Sequence, residues 1–305
     1  MNILIVGYGS IGKRHARILR PMAETLGIVT AQEAMDYPLF RSLEDALAAE
    51  RWDYVVLCTI TARHASDLAI LKQANFTGKV LVEKPVFVST HEDASPYPFQ
   101  VYVGYHLRFH KLIDALKEVL QGCRIESARA HVGQHLSLWR PGRDPKETYS
   151  AHLSQGGGVM RDLSHELDLA QYLFGEIKEY EGKAERLDDV TVDSEDTATF
   201  KLRCSNCDNV IVHMNYLDEV PHREWIIETD KGTIVTDLIR RSLTISEDTR
   251  VIACDGDDAY SAMHRAVLDN NNNVCTFGEA LEIIKVIESA VFSNQVTTSK
   301  TSKSA

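Results

Sequence analysis

Three side chains in this sequence have the chemistry to move a proton on and off an oxygen. Lys84 stands in Glu83-Lys84-Pro85, directly after the apolar run 79–82. A lysine at such a strand end, partly removed from water, has a lowered pKa and can hydrogen-bond a reacting oxygen. Asp162 and His165 follow in Gly156-Gly-Gly-Val-Met-Arg-Asp162-Leu-Ser-His165-Glu-Leu-Asp168. Imidazole titrates near neutral pH. On a helix, residues i and i+3 share a face, so the carboxylate and the imidazole would look into one cleft. Taken singly, each has an ordinary explanation: a surface pair or cap for Asp162 and His165, a solvated cation for Lys84. The elements around them decide between these.

The first of those elements opens the chain. Asn2-Ile-Leu-Ile-Val6 suits a buried parallel strand. Gly7-Tyr8-Gly9-Ser10-Ile11-Gly12 is a G-x-G-x-x-G, and apolar residues at helical spacing follow it (Ala16, Ile18, Leu19). Strand, glycine turn and helix in that order give the motif its dinucleotide-binding meaning. Gly7 turns the chain off the strand, Gly9 admits a pyrophosphate to the backbone, and Gly12 lets helix and strand pack closely. The N–H groups at the helix start, around Ser10 and Ile11, then face the phosphates. Oxidising an alcohol removes a hydride from carbon and a proton from oxygen. A nicotinamide would take the first, and Lys84 or His165 the second.

Composition bounds the rest. The 305 residues are 44% hydrophobic and 25% charged, which suits a soluble chain of two domains. A net charge of −11 argues against nucleic acid as a partner, since a nucleic-acid binder carries a basic footprint. With the first strand expected from residue 2, no signal peptide is expected, and no apolar run approaches the ~20 residues of a membrane span. The six cysteines are too scattered for a disulfide framework. A cytoplasmic location is expected. Cys204-Ser-Asn-Cys207 lies between two strand-like runs with no second ligand pair, so it reads as a hairpin turn, and no metal is expected.

Along the chain, strands are expected at 26–30, 53–58, 79–82 and 101–104, alternating with helices, one of them capped by Ser42 with Asp45 three residues on. This β-α-β alternation predicts a doubly wound parallel sheet, a Rossmann domain over 1–106. Ligands gather at the C-terminal strand ends of such sheets. Thr30, Thr59, His64, Glu83 and Lys84 lie there and are expected to border the cofactor. The end of the second strand, Thr30-Ala31-Gln32, lacks the acid that would hold a ribose 2′-OH in an NAD site. Either NAD or NADP therefore fits, with Lys13 or Arg14 able to reach a 2′-phosphate. In the second half, a helix at 111–121 and a strand at 124–133 precede the triple glycine. A helix over 162–172, strands at 198–202, 210–216, 225–229 and 232–237, and a long helix at 277–292 come after it. Strands at that spacing predict an open, mostly antiparallel sheet in an α+β domain over 107–292, with a frayed polar tail at 293–305.

Gly-Tyr-Gly-Ser-Ile-Gly-Lys-Arg-His-Ala (7–16), the Glu83-Lys84-Pro85 step and the triple-glycine stretch through Asp168 together resemble the Gfo/Idh/MocA family, the glucose–fructose oxidoreductase and inositol dehydrogenase relatives. The resemblance runs from residue 2 to about 290. It implies NAD(P)-dependent oxidation or reduction of a secondary hydroxyl or carbonyl on a sugar, cyclitol or nucleotide-sugar. It also implies roles: Lys84 polarises the substrate oxygen, His165 is general acid/base, and Asp162 orients or binds the substrate hydroxyl. One departure stands out, because the family commonly places the His four residues after the Asp and here the gap is three. Lys84 is therefore preferred as proton acceptor.

Residues 134–142 and Tyr149-Ser-Ala151 resemble stretches of a family branch linked to bacterial surface-polysaccharide sugars. Trp139 offers a flat face for a sugar and Arg140 a fork for carboxylate or phosphate. Together with Tyr149, and with His106 and Arg108 after the last Rossmann strand, they are the expected substrate contacts. The open sheet of the second domain implies a homo-oligomer, a dimer or tetramer. The competing function is a non-catalytic NAD(P)-binding sensor on the same fold, which would be expected to lack Lys84.

Overall fold

The computed structural model describes residues 1–32, 37–92 and 96–294. The first half builds β1 (Asn2–Val6), α1 (Ser10–Leu19), β2 (Thr25–Val29), β3 (Leu39–Phe40), α2 (Leu43–Ala49), β4 (Tyr54–Leu57), α3 (His64–Gln73), β5 (Lys79–Val82) and β6 (Gln100–Val103). These strands lie in the order β6-β5-β4-β1-β2-β3, all parallel. The order reverses at β1, and the glycine turn sits at that reversal, which is where ligands bind in such sheets. β1, β4 and β5 are buried almost end to end, as their continuous Val/Ile/Leu runs require when helices cover both faces. Ser42 caps α2, accepting a hydrogen bond from Asp45 N at 3.0 Å.

The second half contributes α4 (Lys111–Leu120), β7 (Ile125–Gly133), α5 (Leu136–Trp139), α6 (Val159–Asp162), α7 (His165–Phe174), β8 (Ile177–Arg186), β9 (Thr197–Cys204), β10 (Cys207–Asn215), β11 (His222–Thr229), β12 (Gly232–Asp237), β13 (Ser242–Ile245) and β14 (Asp248–Val251). After these come α8 (Asp258–Leu268), β15 (Cys275–Thr276), α9 (Phe277–Glu288) and β16 (Ala290–Asn294). The second sheet runs β14-β13-β12-β11-β7-β10-β9-β8-β16. It is antiparallel except where β10 meets β7 and β16 meets β8. Burial alternates along β7: Ala128, Ala130 and Val132 are buried, whereas Arg129 and His131 are not. One face therefore packs under helices and the other stays open. Cys204 and Cys207 pair across the β9–β10 hairpin, as the turn reading required.

Three expectations are corrected here. The helix over 162–172 is two helices, broken at Leu163 and Ser164. The long C-terminal helix stops at Glu288, and Ala290–Asn294 continues as a strand beside β8, so residues 293 and 294 belong to the sheet while 295–305 lie outside the described residues. Residues 258–276, placed by sequence in the second domain, return to the first sheet: α8 packs on α1, and β15 adds an antiparallel edge to β6.

Candidate active site

The glycine turn has the geometry its sequence demands. Gly7 has φ +94°, and a Cβ there would lie 2.7 Å from the Cys58 carbonyl oxygen. At Gly12 a Cβ would meet the Gly7 carbonyl at 2.1 Å, so α1 starts in backbone contact with the strand end. A Cβ on Gly9, by contrast, would meet nothing within 4 Å. α1 begins there with no side-chain cap, and its first hydrogen bond runs from Lys13 N to Gly9 O. The N–H groups of the first turn thus face open space over exposed Ser10 and half-buried Ile11. These residues fit a pyrophosphate.

The flanking expectations divide. Thr30 lies at the end of β2, its hydroxyl accepting from Gln32 N at 3.1 Å. Arg41, which the sequence reading missed, donates to the Ala31 and Gln32 carbonyls and brings a cation to the same edge. Arg14 does not face that edge. Its guanidinium pairs with Asp257 and lies over the Tyr260 ring on α8. Thr59 spends its hydroxyl on Asp67 at 2.7 Å. His64 is buried and its ring bonds the Thr59, Pro85 and Val86 carbonyls. It ties two strand-end loops together and is not free for a cofactor.

Glu83 and Lys84 end β5, and the Lys84–Pro85 peptide is cis. Glu83 Oε1 accepts from His15 Nε2 at 2.8 Å. His15 Nδ1 is then the acceptor for His264 Nε2 at 2.7 Å, and Tyr54 Oη donates to His264 Nδ1 at 2.9 Å. A carboxylate can only accept, so its presence at one end sets the direction of every proton in this buried chain. Residues from α1, β4 and α8 thereby fix the residue before Lys84, a link invisible in sequence.

Lys84 Nζ donates to the Asp162 carbonyl at 2.7 Å. This bond gives the Asp162 carbonyl a partner at the helix break. The Asp162 carbonyl would otherwise accept from Glu166 N, which bonds Leu163 O instead at 3.2 Å. Burial pulls the Lys84 ammonium below its ordinary pKa, against the opposing attraction of Asp162 and Glu83. The Asp162 carboxylate is fully engaged, taking Tyr149 Oη (2.7 Å), Ser150 Oγ (2.6 Å) and Tyr216 Oη (2.7 Å). Gly157 permits this, since a Cβ there would strike the Tyr149 carbonyl at 2.1 Å. Asp162 therefore orients Tyr149, whose phenol burial and Asp162 hold well above its usual range. Tyr149 remains partly exposed, and with its hydrogen given to Asp162 its phenol oxygen is left as an acceptor.

His165 heads α7 with its Nδ1 buried and without a hydrogen-bond partner. Its ring stands edge-on to Tyr105 and to His106, 4.6 Å from the latter's centroid, and His106 stacks on Tyr260 at 4.0 Å. Burial, then His106 and Lys84, holds His165 well below its usual pKa; burial, then Arg223 and Lys84, does the same to His106. Arg223 was not foreseen. It reaches this group from β11 while paired with buried Glu166 at 2.7 Å. Trp139 packs edge-on against Tyr216 with its indole N–H on the Gln134 carbonyl. Exposed Arg140 lies over the Tyr149 ring, 5.6 Å from its centroid. Lys84, Asp162, Tyr149 and Arg140 are thus linked contact to contact, and His165 and His106 stand together within the electrostatic reach of Lys84.

Arg108 does not belong to this group. The side chain is 1% exposed and bonds Asp168 through Nε and Nη2 and Glu279 through Nη1. All of its forks are spent on holding α7 and α9 to the loop after β6, so the expectation of a substrate contact is corrected.

Comparison with known proteins agrees with this geometry. Residues 1–96 match the family model described as "Oxidoreductase family, NAD-binding Rossmann fold", and residues 113–235 match the GFO/IDH/MocA C-terminal domain. The chain belongs to the GFO/IDH/MocA family and is an oxidoreductase with an NAD-binding Rossmann domain. Of the two cofactors the sequence left open, NAD is the one this assignment names. Similar solved structures include levoglucosan dehydrogenase in complex with NADH (TM-score 0.79, 16% identity, 95% of this chain and 96% of that one). UDP-N-acetylglucosamine 3-dehydrogenase GnnA from Acidithiobacillus ferrooxidans is another (0.76, 20%, 95% and 97%). GenD2 from gentamicin A biosynthesis, in complex with NAD, is a third (0.77, 19%, 95% and 93%). At these identities the likeness is one of fold. No match was found among the curated proteins. Among the described residues, no helix is long and apolar enough to cross a membrane.

Proposed function

We propose that this protein is a dehydrogenase that moves a hydride between NAD and a secondary hydroxyl or carbonyl of a sugar or nucleotide-sugar. The observation carrying this reading is Lys84: an ammonium just past the end of β5, its pKa lowered by burial, anchored on the Asp162 carbonyl at 2.7 Å. Gly7, Gly9, Ser10, Ile11 and Gly12 would hold the pyrophosphate, and the cofactor when bound supplies the hydride acceptor or donor. Lys84 hydrogen-bonds the reacting oxygen, and in its neutral form takes the hydroxyl proton. In reduction the ammonium returns it. Tyr149, kept protonated and with its one hydrogen on Asp162, offers its phenol oxygen as an acceptor to a neighbouring substrate hydroxyl. His165 is neutral at neutral pH and a weak base, so it orients the sugar and ranks below Lys84 as proton acceptor.

Arg140 and Trp139 suit a sugar bearing an anionic group, and a nucleotide-sugar of surface-polysaccharide metabolism fits that chemistry. The neighbours whose names specify a sugar or a UDP-sugar point the same way. Exposed Val291 and Phe292 on edge strand β16 support a homo-oligomer formed through the second sheet. The acidic composition and scattered cysteines support a cytoplasmic location. NADP remains the weaker cofactor, since Arg14 is committed to Asp257.

The test is fluorescence titration with NADH and NADPH, followed by a panel of sugars and nucleotide-sugars monitored by absorbance of the reduced cofactor. Turnover that disappears in Lys84→Ala supports the dehydrogenase. Tight cofactor binding with no turnover across the panel would replace it with the sensor.

A further inference from the structure

On the open face of the second sheet, three side chains from three segments converge. His131 lies on β7, His222 at the start of β11, and Asp218 in the loop between β10 and β11. His131 Nε2 lies 2.7 Å and His222 Nδ1 3.2 Å from the same Asp218 oxygen, Oδ2. One ligand atom from each residue lies within 4.8 Å of the other two. We propose that His131, Asp218 and His222 bind a divalent transition-metal ion, with zinc(II) the best match, on this face of the protein.

The donor set is the first reason. Two imidazoles and one carboxylate oxygen, with water at the fourth position, make a common zinc arrangement. Hard cations such as Mg²⁺ or Ca²⁺ prefer all-oxygen shells. Metal–ligand bonds of about 2.0–2.1 Å at tetrahedral angles put ligand atoms about 3.3 Å apart. The observed 2.7 and 3.2 Å spacings reach that by small side-chain adjustments of partly exposed groups.

The second reason is that the carboxylate is held in place. Asn215 Oδ1 accepts from Leu217 N (2.8 Å) and Asp218 N (2.9 Å), fixing the start of the loop. The Asp218 carbonyl accepts from His135 N at 2.6 Å. Gly133 lies directly beneath, where a Cβ would sit 2.2 Å from Asp218 Oδ2. The site therefore needs little reorganisation to bind, which favours affinity. His213, register partner of His131 on β10, stands edge-on to it with ring centroids 5.2 Å apart and with Nδ1 held by Thr199 at 2.8 Å. It crowds a third imidazole against the group. A cation here would clamp β7, the loop and β11 together. The site is separate from the proposed hydride chemistry and stands whether or not that reading holds.

Protein stripped with a chelator and dialysed at pH 7.5 should be titrated calorimetrically with Zn²⁺, and with Co²⁺ while following visible d–d absorption. One ion per chain, a visible Co²⁺ band, and a thermal midpoint raised by Zn²⁺ are expected. His222→Ala and His131→Asn should each weaken binding at least tenfold and abolish the zinc-dependent thermal shift. Their midpoints in chelator should match the wild type, which separates lost binding from lost folding. A Cys204→Ser/Cys207→Ser variant should bind as the wild type does. The proposal is overturned by absence of stoichiometric binding, or by binding that survives both histidine variants or vanishes with the cysteines.

Discussion

The ammonium of Lys84 and the main chain of Asp162 are hydrogen-bonded at 2.7 Å, so these two residues are coupled through a carbonyl and not through an ion pair. The distinction separates their roles. Replacing the carboxylate leaves the carbonyl, and hence the lysine, where it is. Lys84→Ala should lower the rate of hydride transfer by 10²–10⁴-fold, the usual worth of a positioned acid–base group, with NADH affinity within about threefold of wild type. Asp162→Asn keeps an acceptor for Ser150 and Tyr216 but disturbs Tyr149, and should cost about tenfold, as should Tyr149→Phe. Single-turnover rates for the three variants check the order. Equal losses for Asp162→Asn and Lys84→Ala would mean that the carboxylate acts directly on substrate.

Gly9 offers a separation of stability from binding. Its φ of −73° suits any residue, and a Cβ there meets no atom of the protein. Gly9→Ala should therefore leave the thermal midpoint unchanged or slightly raised, because alanine loses less chain entropy on folding. The same methyl stands where a pyrophosphate must approach the backbone. NADH affinity should fall at least tenfold, measured by fluorescence quenching. Gly12→Ala, which would drive a Cβ into the Gly7 carbonyl, should lose both.

Arg108 is a structural residue, and its removal should show it. Asp168 is fully buried and relies on this guanidinium. Arg108→Met leaves an unpaired buried carboxylate, a change that typically costs about 3–5 kcal/mol. Urea unfolding should report a loss of that size, largely recovered in Arg108→Met/Asp168→Asn, while KM for substrate in the folded fraction stays constant. A raised KM without destabilisation would restore Arg108 to the substrate site.

Local pattern and tertiary arrangement were unequally readable in this chain. β1, the glycine turn and the parallel strands were legible because a sheet covered on both faces forces continuous apolar runs, and because Gly7 and Gly12 occupy positions no side chain fits. Lys84 stood out because it ends such a strand. What sequence could not show was tertiary. His64, Thr59, Arg14 and Arg108 have the right chemistry near the right strand ends, yet each is spent on a neighbour fixed by the fold. At the break after Asp162, the carbonyl finds its partner in a lysine 78 residues away. Arg223, Tyr216 and Arg41 reach their places by strand register or by loops. The pattern of apolar residues at 290–292 continues a helical face equally well as a strand, and only pairing with β8 decides it.

Glu195 carries the pH dependence. It is buried beside Gly158 and accepts from Met160 N at 3.2 Å, and burial pushes its carboxyl from 4.5 up to about 7. The folded chain then keeps this proton over an interval in which the unfolded chain has released it. By linkage, stability falls as pH rises from about 4.5 to about 7, and is constant with respect to this group above that. Two and a half pH units correspond to a contribution on the order of 3 kcal/mol. Glu195→Gln cannot ionise and removes the dependence. The difference in unfolding free energy between variant and wild type should therefore grow in favour of the variant from pH 4.5 to pH 7.5, followed by urea melts at half-unit steps. Because Glu195 lies next to Arg161 and Asp162, the same titration should appear in the wild-type activity profile and be missing from the variant's. Parallel stability curves would mean that Glu195 is ionised throughout, held by Arg161 against its burial.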